Sequence, residues 1–565
     1  MKSIVESPRR RTRVKNLRAC LCAGVALVVL FSAVALPTLF SAVFAPPERT
    51  DAGYMQHRDA MQPLRTEEQA AVFASDAGGV LTSFSSHLPL VLIDTGGRAV
   101  PIHQRMDDEK GYMLPIPGVE PFVPCGLYIY DSGGYNSLAD APTALTRAKI
   151  KRRGNTSHSF EKAHYKLKLL AADGAAENQL PLLGMEAEDE WVLNGCMLDK
   201  SLLRNYLAFT VAAEVLPYTP DVRYCEVLVR DDKGLHYDGV YLLMENIKQG
   251  KGRVELSEEP PHGGVHSYLL RRDRYDPDRP MLRTYATEKG LSAGYLGLLY
   301  PKNDKLDDAV LRYVEADISA AEKVLYAEDV SVFLTYPDYI DVDSFVDYFV
   351  LNEFFGNYDA GWNSTYFYKD LGGKLCAGPV WDYDGIMDNY IPAPMDPEAV
   401  PFAGAPWFDR LILDKAFVER VLTRYAELRR GPLSQSRIDA MLHETARYLG
   451  PAQQRDWQRW QDIYTGSAYA LQDAVVPVSS SGGAQASEPA RLRRQTDSYE
   501  QEVLKLRHLL HVHGASIPIA LPKMDLPRAG IISATDDYKK NSALMTLFLL
   551  AFASAAWIAR RHGDT

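Results

Sequence analysis

"GNYDAGWNSTYFYKDLGGKLCAGPVWDYDG", residues 356–385, is the stretch on which the reading of this chain turns. "STYFYKD" has the aromatic-rich composition of a strand, "LGGK" is a hairpin turn, and "LCAGPVW" is the returning strand. Asp359 and Asn363 precede the first strand and Asp382 follows the second. A hairpin brings its two ends together, so these side chains should emerge at the same end of the sheet. Asp and Asn also favour turns for local reasons. Two or three converging oxygen ligands nevertheless suit Mg²⁺, which takes a few carboxylates and completes its shell with water and substrate phosphates. Asp384 lies two residues beyond Asp382 and shares its face if the strand continues, so either or both could be ligands.

Upstream, "LPLVLIDTGG" (88–97) and "CGLYIYDSGG" (125–134) each read as a strand stopped by a turn. "ALTRAKIKRRGNTS" runs into a Gly-Asn turn at Gly154 and Asn155. "HYKLKLLAADG" then alternates, placing Tyr165, Leu167 and Leu169 on a core face and Lys166 and Lys168 on the other, which meets solvent or borders a cleft. "DKSLLRNYLAFTVAAEVL" (199–216) reads as a helix opening on Asp199 and Ser201 as candidate caps. "RYCEVLVRDDKGLHYDGVYLLMENIKQG" gives two strands ending at Glu245, and "HSYLLRRD" a third. From about residue 305 the apolar spacing is helical, in "DDAVLRYVEADISAAEKVLY", "DSFVDYFVLNEFF", "RLILDKAFVERVLTRYAELRR" and "DSYEQEVLKLRHLL". Strands first and helices later predict an α+β protein with a mainly antiparallel sheet in the N-terminal half and a helical C-terminal half. Carboxylates and an amide near a metal, with a lysine on an earlier strand, are the parts that phosphoryl transfer uses.

The ends and the composition bound the rest. Of 565 residues, 46% are hydrophobic, which supplies a sizeable core, and the net charge of −11 argues against a nucleic-acid binder. "SPRRRTRVKNLR" (7–18) precedes the uncharged run 19–45, longer than the ~30 Å hydrocarbon core requires. That run reads as an uncleaved anchor, with a signal peptide cleaved after Ala45 as the alternative. "SALMTLFLLAFASAAWIA" (542–559), followed by Arg560 and Arg561, reads as a second span or as a buried helix. The expected organisation is a basic cytoplasmic tail (1–18), anchor (19–45), stalk (46–87), main domain (88–515) with a flexible insertion at 478–487, linker (516–541), transmembrane helix (542–559) and cytoplasmic tail (560–565). The positive flanks place the large domain outside the cell membrane. Cys20 and Cys22 fall in the first apolar run, and Cys125, Cys196, Cys225 and Cys376 could form up to two disulfides or stay as buried thiols. No CxxC spacing suggests zinc.

"RRGNTS" (152–157), "HYKLKL" (164–169), "DKSLLRNYLAF" (199–209), "GVYLLMENIKQGKGRV" (239–254), "DVDSFVDYFVLNEFFGNYDA" (341–360) and "YFYKDLGGKLCAGPVWDYDG" (366–385) together resemble the CotH kinase family, named after a spore-coat protein. The resemblance spans about residues 88–515. It implies a divergent protein-kinase-like fold that binds ATP with Mg²⁺ or Mn²⁺ and phosphorylates Ser or Thr of surface or envelope proteins, its own serine-rich insertion included. On the family's pattern Asp359 resembles the catalytic aspartate and Asp382 the metal-binding one, with Asn363 as a second metal ligand. Conventional kinases place that Asn five positions after the Asp rather than four. Lys166 is the candidate phosphate-binding lysine, with Lys162 and Lys168 as rivals. Arg153, Gly154 and Asn155 match the family's "RGN" turn beside the phosphates. Glu245 falls where the hinge beside the adenine would lie, and Asp199 and Arg204 are expected to brace their helix. The chain has no "HRD", "DFG" or GxGxxG element. The alternative the resemblance allows is a non-catalytic coat-assembly or adhesion protein on the same fold; a transferase using another donor is a third reading.

Overall fold

The computed structural model of the protein describes residues 81–107, 109–110, 112–155, 157–257, 264–291, 294–302, 306–389, 395–465 and 495–524. Both apolar segments (19–45 and 542–559), the two tails, nearly all of the stalk and the insertion at 478–487 lie outside them. No helix among the described residues is long and apolar enough to cross a membrane.

Alternation in the N-terminal half produces a rolled sheet rather than an open one. Strands β1 (Leu90–Asp94), β2 (Val123–Tyr130), β3 (Ala144–Arg152), β4 (Tyr165–Leu170), β5 (Glu190–Asn194), β6 (Val222–Asp231) and β7 (Gly234–Glu245) close a barrel in the order β6-β7-β5-β4-β3-β2-β1. Every neighbouring pair is antiparallel except the parallel β1–β6 pair that closes the ring. Because side chains alternate across a strand, Tyr165, Leu167 and Leu169 fill the barrel with Trp191, Leu193, Val227 and Leu243, while Lys166 and Lys168 project from its outer face.

The β3–β4 pair forms in the expected register, but the connection is not a tight Gly-Asn turn. Residues 153–155 and 157–164 belong to a long connection that contains a short 3₁₀ turn at Ser157–Ser159. Polar anchoring holds it out. Arg152 donates to the carbonyls of His158 and Phe160, and Lys162 reaches a buried carboxylate, Asp456, at 2.5 Å. Gly154 has φ +96°, and a Cβ there would meet Ser157 Oγ at 2.0 Å, so only glycine makes this corner.

The C-terminal half adds a second sheet as well as helices. Strands β8 (Tyr268–Asp273), β9 (Tyr295–Tyr300), β10 (Thr365–Lys369) and β11 (Cys376–Ala377) pair antiparallel in the order β9-β8-β10-β11, and β10–β11 is the hairpin expected from the sequence. Helices α1 (Arg204–Ala212), α2 (Asp308–Leu325), α3 (Val342–Phe354), α4 (Lys415–Leu428), α5 (Gln435–Thr465) and α6 (Tyr499–Lys523) pack around it. Helix α3 begins where Asp341 accepts the Ser344 N–H, and nearly all its residues are buried, as befits a central helix. Helix α5 kinks at Gly450–Pro451, where Pro451 cannot continue the hydrogen-bond ladder. Beyond the kink Asp456 accepts from Lys162, the Val240 N–H and Tyr464, and Arg455 pairs with Glu226, which fastens α5 to the barrel. The architecture is α+β and mainly antiparallel. Cys125, Cys196, Cys225 and Cys376 are free thiols, so no disulfide joins them.

Candidate active site

A cavity of about 680 Å³ lies between the outer face of the barrel and the hairpin β10–β11. Its barrel wall is one row of register partners across four strands: Lys151 opposite Lys166, Lys166 opposite Val192, and Val192 opposite Met244. All four residues line the cavity. The wall is therefore cationic at the β3–β4 end and apolar at the β5–β7 end, where Ile247 and Leu298 extend it.

This register separates the rival lysines. Lys166 lines the cavity and meets Glu190 Oε1 at 2.9 Å; burial pulls its ammonium below the usual lysine range while Glu190 opposes the shift. Lys168, two residues on, pairs with Glu177 at 2.5 Å and Asp189 at 3.7 Å and does not line the cavity. Lys162 is buried against Asp456. Arg153 and Asn155 line the cavity from the 153–164 loop, and the Arg153 guanidinium lies 5.3 Å from the Trp381 ring centroid.

The opposite wall carries the acids. Asp359, Asp382 and Asp384 all line the cavity. Ser364 Oγ donates to Asp382 Oδ2 at 3.0 Å, which ties the start of the hairpin to its end. Asp382 has φ +66° and Ser364 φ +50°, an uncommon backbone region for non-glycine residues and one in which strained functional residues are found. The loop is held from several sides. Asn205 accepts the Tyr383 N–H at 2.8 Å, Arg204 Nε donates to the Ile386 carbonyl at 3.0 Å, and Arg272 Nη1 donates to the Gly361 carbonyl at 3.3 Å.

Electrostatics distinguish the acids from ordinary turn residues. Burial, and then Asp382, pushes Asp359 up to about 6. Burial, and then Asp382, drives Asp384 well above the usual carboxylate range, and the two share a hydrogen bond. Neither Asp359, Asp382 nor Asp384 forms an ion pair among the described residues. Crowded carboxylates of this kind are stabilised by a cation. No group of three or more His, Cys, Asp or Glu side chains among the described residues is arranged as a metal cage. The donor set fits an ion that takes one or two carboxylates and obtains the rest of its shell from phosphates and water.

Two sequence candidates sit differently. Asn363 does not line the cavity; its Nδ2 donates to Asp359 Oδ1 at 2.8 Å, so it orients that carboxylate. Glu245 does not line it either: it accepts from Arg253 at 3.1 Å and from the Asp221 N–H at 3.0 Å, and burial pushes it up to about 7. Its neighbours Met244 and Asn246 do line the cavity. Asp199 and Arg204 brace α1, as expected, joined at 2.7 Å and extended by Glu502 at 2.7 Å. Sequence reading missed Lys151, Glu190, Arg271 and Asp273, which line the cavity through cross-strand register and a separate strand. "LLRRD" was a visible charged strand end, but nothing local to it shows which wall it faces.

Among curated proteins none matches the chain. The family model described as CotH kinase protein matches residues 150–508, more than half of the sequence, including Lys151, Lys166, Val192 and Met244 of the cavity's barrel wall and the acidic hairpin. The chain belongs to the CotH kinase family.

Proposed function

We propose that the protein transfers the γ-phosphoryl group of ATP to Ser or Thr hydroxyls of surface or envelope proteins, with Mg²⁺ or Mn²⁺ as the metal. The observation that carries this reading is a cavity with a lysine–arginine wall facing three carboxylates, none of which forms an ion pair among the described residues. Lys166 and Arg153 would hold phosphate oxygens, and the apolar end of the wall at Val192 and Met244 would accept the base. Asp382, with Asp384 beside it, would hold the divalent cation, which would supply positive charge to offset the negative charge developing on the phosphates. Asp359, oriented by Asn363, would accept a hydrogen bond from the acceptor hydroxyl and take its proton as the new O–P bond forms and the bond from the γ-phosphorus to the β,γ-bridging oxygen breaks, ADP leaving with that electron pair. The ionised form is required for that role, which places the acid limb of activity near its pKa of about 6.

The apolar segments 19–45 and 542–559 with their basic flanks support a membrane-anchored protein whose large domain lies outside the cell. The test of function is phosphate incorporation from γ-labelled ATP with Mg²⁺ or Mn²⁺ by the full-length chain, alongside Asp359→Ala and Asp382→Ala. Labelling that falls by about a thousandfold or more in both variants is the expected outcome. Wild-type protein that neither labels nor binds nucleotide would leave the coat-assembly or adhesion reading in its place.

A further inference from the structure

The β3–β4 register sets two lysines directly opposite one another, Lys151 and Lys166, on the cavity wall. Like charges in directly opposed positions on one sheet face repel, and a fold gains nothing from the arrangement by itself. The neighbouring row of the same two strands repeats this opposition outside the cavity, where Lys149 lies 5.0 Å from the Phe122 ring centroid and forms no ion pair among the described residues. Lys149 opposes Lys168, and Lys168 is neutralised by Glu177 and Asp189. What sets the Lys151–Lys166 row apart is that both of its lysines line the cavity. Glu190 pairs with Lys166 at 2.9 Å, but Lys151 forms no ion pair among the described residues, and its ammonium lies 5.0 Å from the Phe122 ring centroid. Arg153, on the loop leaving β3, adds a third cation at the same end of the cavity. Burial, followed by Lys166, lowers the affinity of Lys151 for its proton, while the Asp278 and Asp276 carboxylates oppose the shift.

We propose that Lys151 is a second polyphosphate-binding residue, which with Lys166 and Arg153 makes the cavity select a triphosphate over a monophosphate. The proposal rests on the nucleotide reading for the identity of the ligand but on the clustering of Lys151, Lys166 and Arg153 on the cavity wall for its polyanionic character. An anion carrying several charges satisfies both ammoniums at once, whereas a single phosphate leaves one of them unpaired. The row also fixes a direction: polyphosphate at Lys151 and Lys166, and the apolar part of the ligand toward Val192 and Met244.

Calorimetric titration of the full-length chain with ATP, AMP and inorganic tripolyphosphate tests this directly. Lys151→Met should weaken ATP and tripolyphosphate about tenfold or more, the scale of one lost charge-assisted contact, and AMP by less than about twofold. Lys151→Arg, which keeps the charge, should stay within about threefold of wild type for all three. Lys149→Met, in the row outside the cavity, should change none of them, and melting temperatures of all variants check folding. Equal weakening of ATP and AMP by Lys151→Met, or no weakening of either, overturns the proposal. A wild-type chain that binds tripolyphosphate but no nucleotide defeats the ATP reading and leaves the lysine pair standing. One that binds none of the three defeats both.

Discussion

Two clusters of buried charge lie side by side in this molecule, and they are built on opposite rules. In the first, Arg204 bonds Asp199 and Glu502 at 2.7 Å each, Lys505 meets Glu502 at 3.1 Å, and Thr496 donates to the same carboxylate at 2.6 Å. Against burial, which alone would raise it, Lys505 and Arg204 hold Glu502 below the usual carboxylate range. In the second, Asp359, Asp382 and Asp384 crowd together without an ion pair among the described residues, and burial raises Asp359 and Asp384. The two are joined by the Arg204 bond to the Ile386 carbonyl and the Asn205 bond to Tyr383. A compensated cluster braces; an uncompensated one is held in place by its compensated neighbour and is stabilised when a cation arrives. Structural and functional charge are thus distinguished by neutralisation rather than by burial, which both clusters share.

Breaking the compensated cluster should have the largest effect. Arg204→Met leaves Asp199 buried without its ion-pair partner and Glu502 with Lys505 alone, and the expected loss is about 3–5 kcal/mol of stability, read by chemical denaturation. A loss below about 1 kcal/mol would mean the cluster is not a brace. The uncompensated cluster should respond in the opposite sense. The folded-state pKa of Asp384 lies above its unfolded value, so its contribution to stability is present below about pH 4 and is lost as pH rises through the folded pKa. Asp384→Asn removes that loss while retaining a donor toward Asp382. Its melting temperature without divalent cation should therefore exceed that of wild type at pH 8, with the difference vanishing toward pH 4. A variant equally destabilised at both pH values would show that Asp384 is a structural acid.

A smaller effect concerns Asp359, whose burial pushes it to about 6. As pH falls through that value the carboxylate takes a proton and phosphoryl transfer should decline. In Asn363→Ala, which removes a hydrogen bond to the ionised form, the midpoint should rise by up to about one unit. An unmoved midpoint would assign the limb to another group. The smallest effect is Lys168→Met, which disturbs only partly exposed pairs: a change under about 1 kcal/mol in stability and none in nucleotide affinity.

Much of this was legible in the sequence, and the limits are physical. Alternation around Lys166 and the hairpin 364–385 depend on spacing within a few residues, so strand faces and the meeting of Asp359 with Asp382 could be read directly. The lysine choice could not. Lys166 and Lys168 share a face, and they are separated by the cross-strand row that lines the cavity and by Glu190 and Glu177 on other segments. The 153–164 connection was misread as a tight turn because Gly154 and Asn155 carry a turn signal, whereas the loop is opened by Arg152 and by the distant Asp456. Barrel closure was equally invisible, since it depends on the parallel β1–β6 pairing of strands far apart in sequence. Asn363 and Glu245 were placed by spacing and strand end alone, which give no side-chain direction.

Manganese binding, followed by electron paramagnetic resonance on the full-length chain with and without ATP, tests most directly whether the uncompensated carboxylates form a cation site. The expected result is weak binding of Mn²⁺ alone, tightened about tenfold or more by ATP as phosphates complete its shell, and abolished in both conditions by Asp382→Asn. Binding that is indifferent to ATP and unchanged in Asp382→Asn, or no binding in either condition, would contradict it.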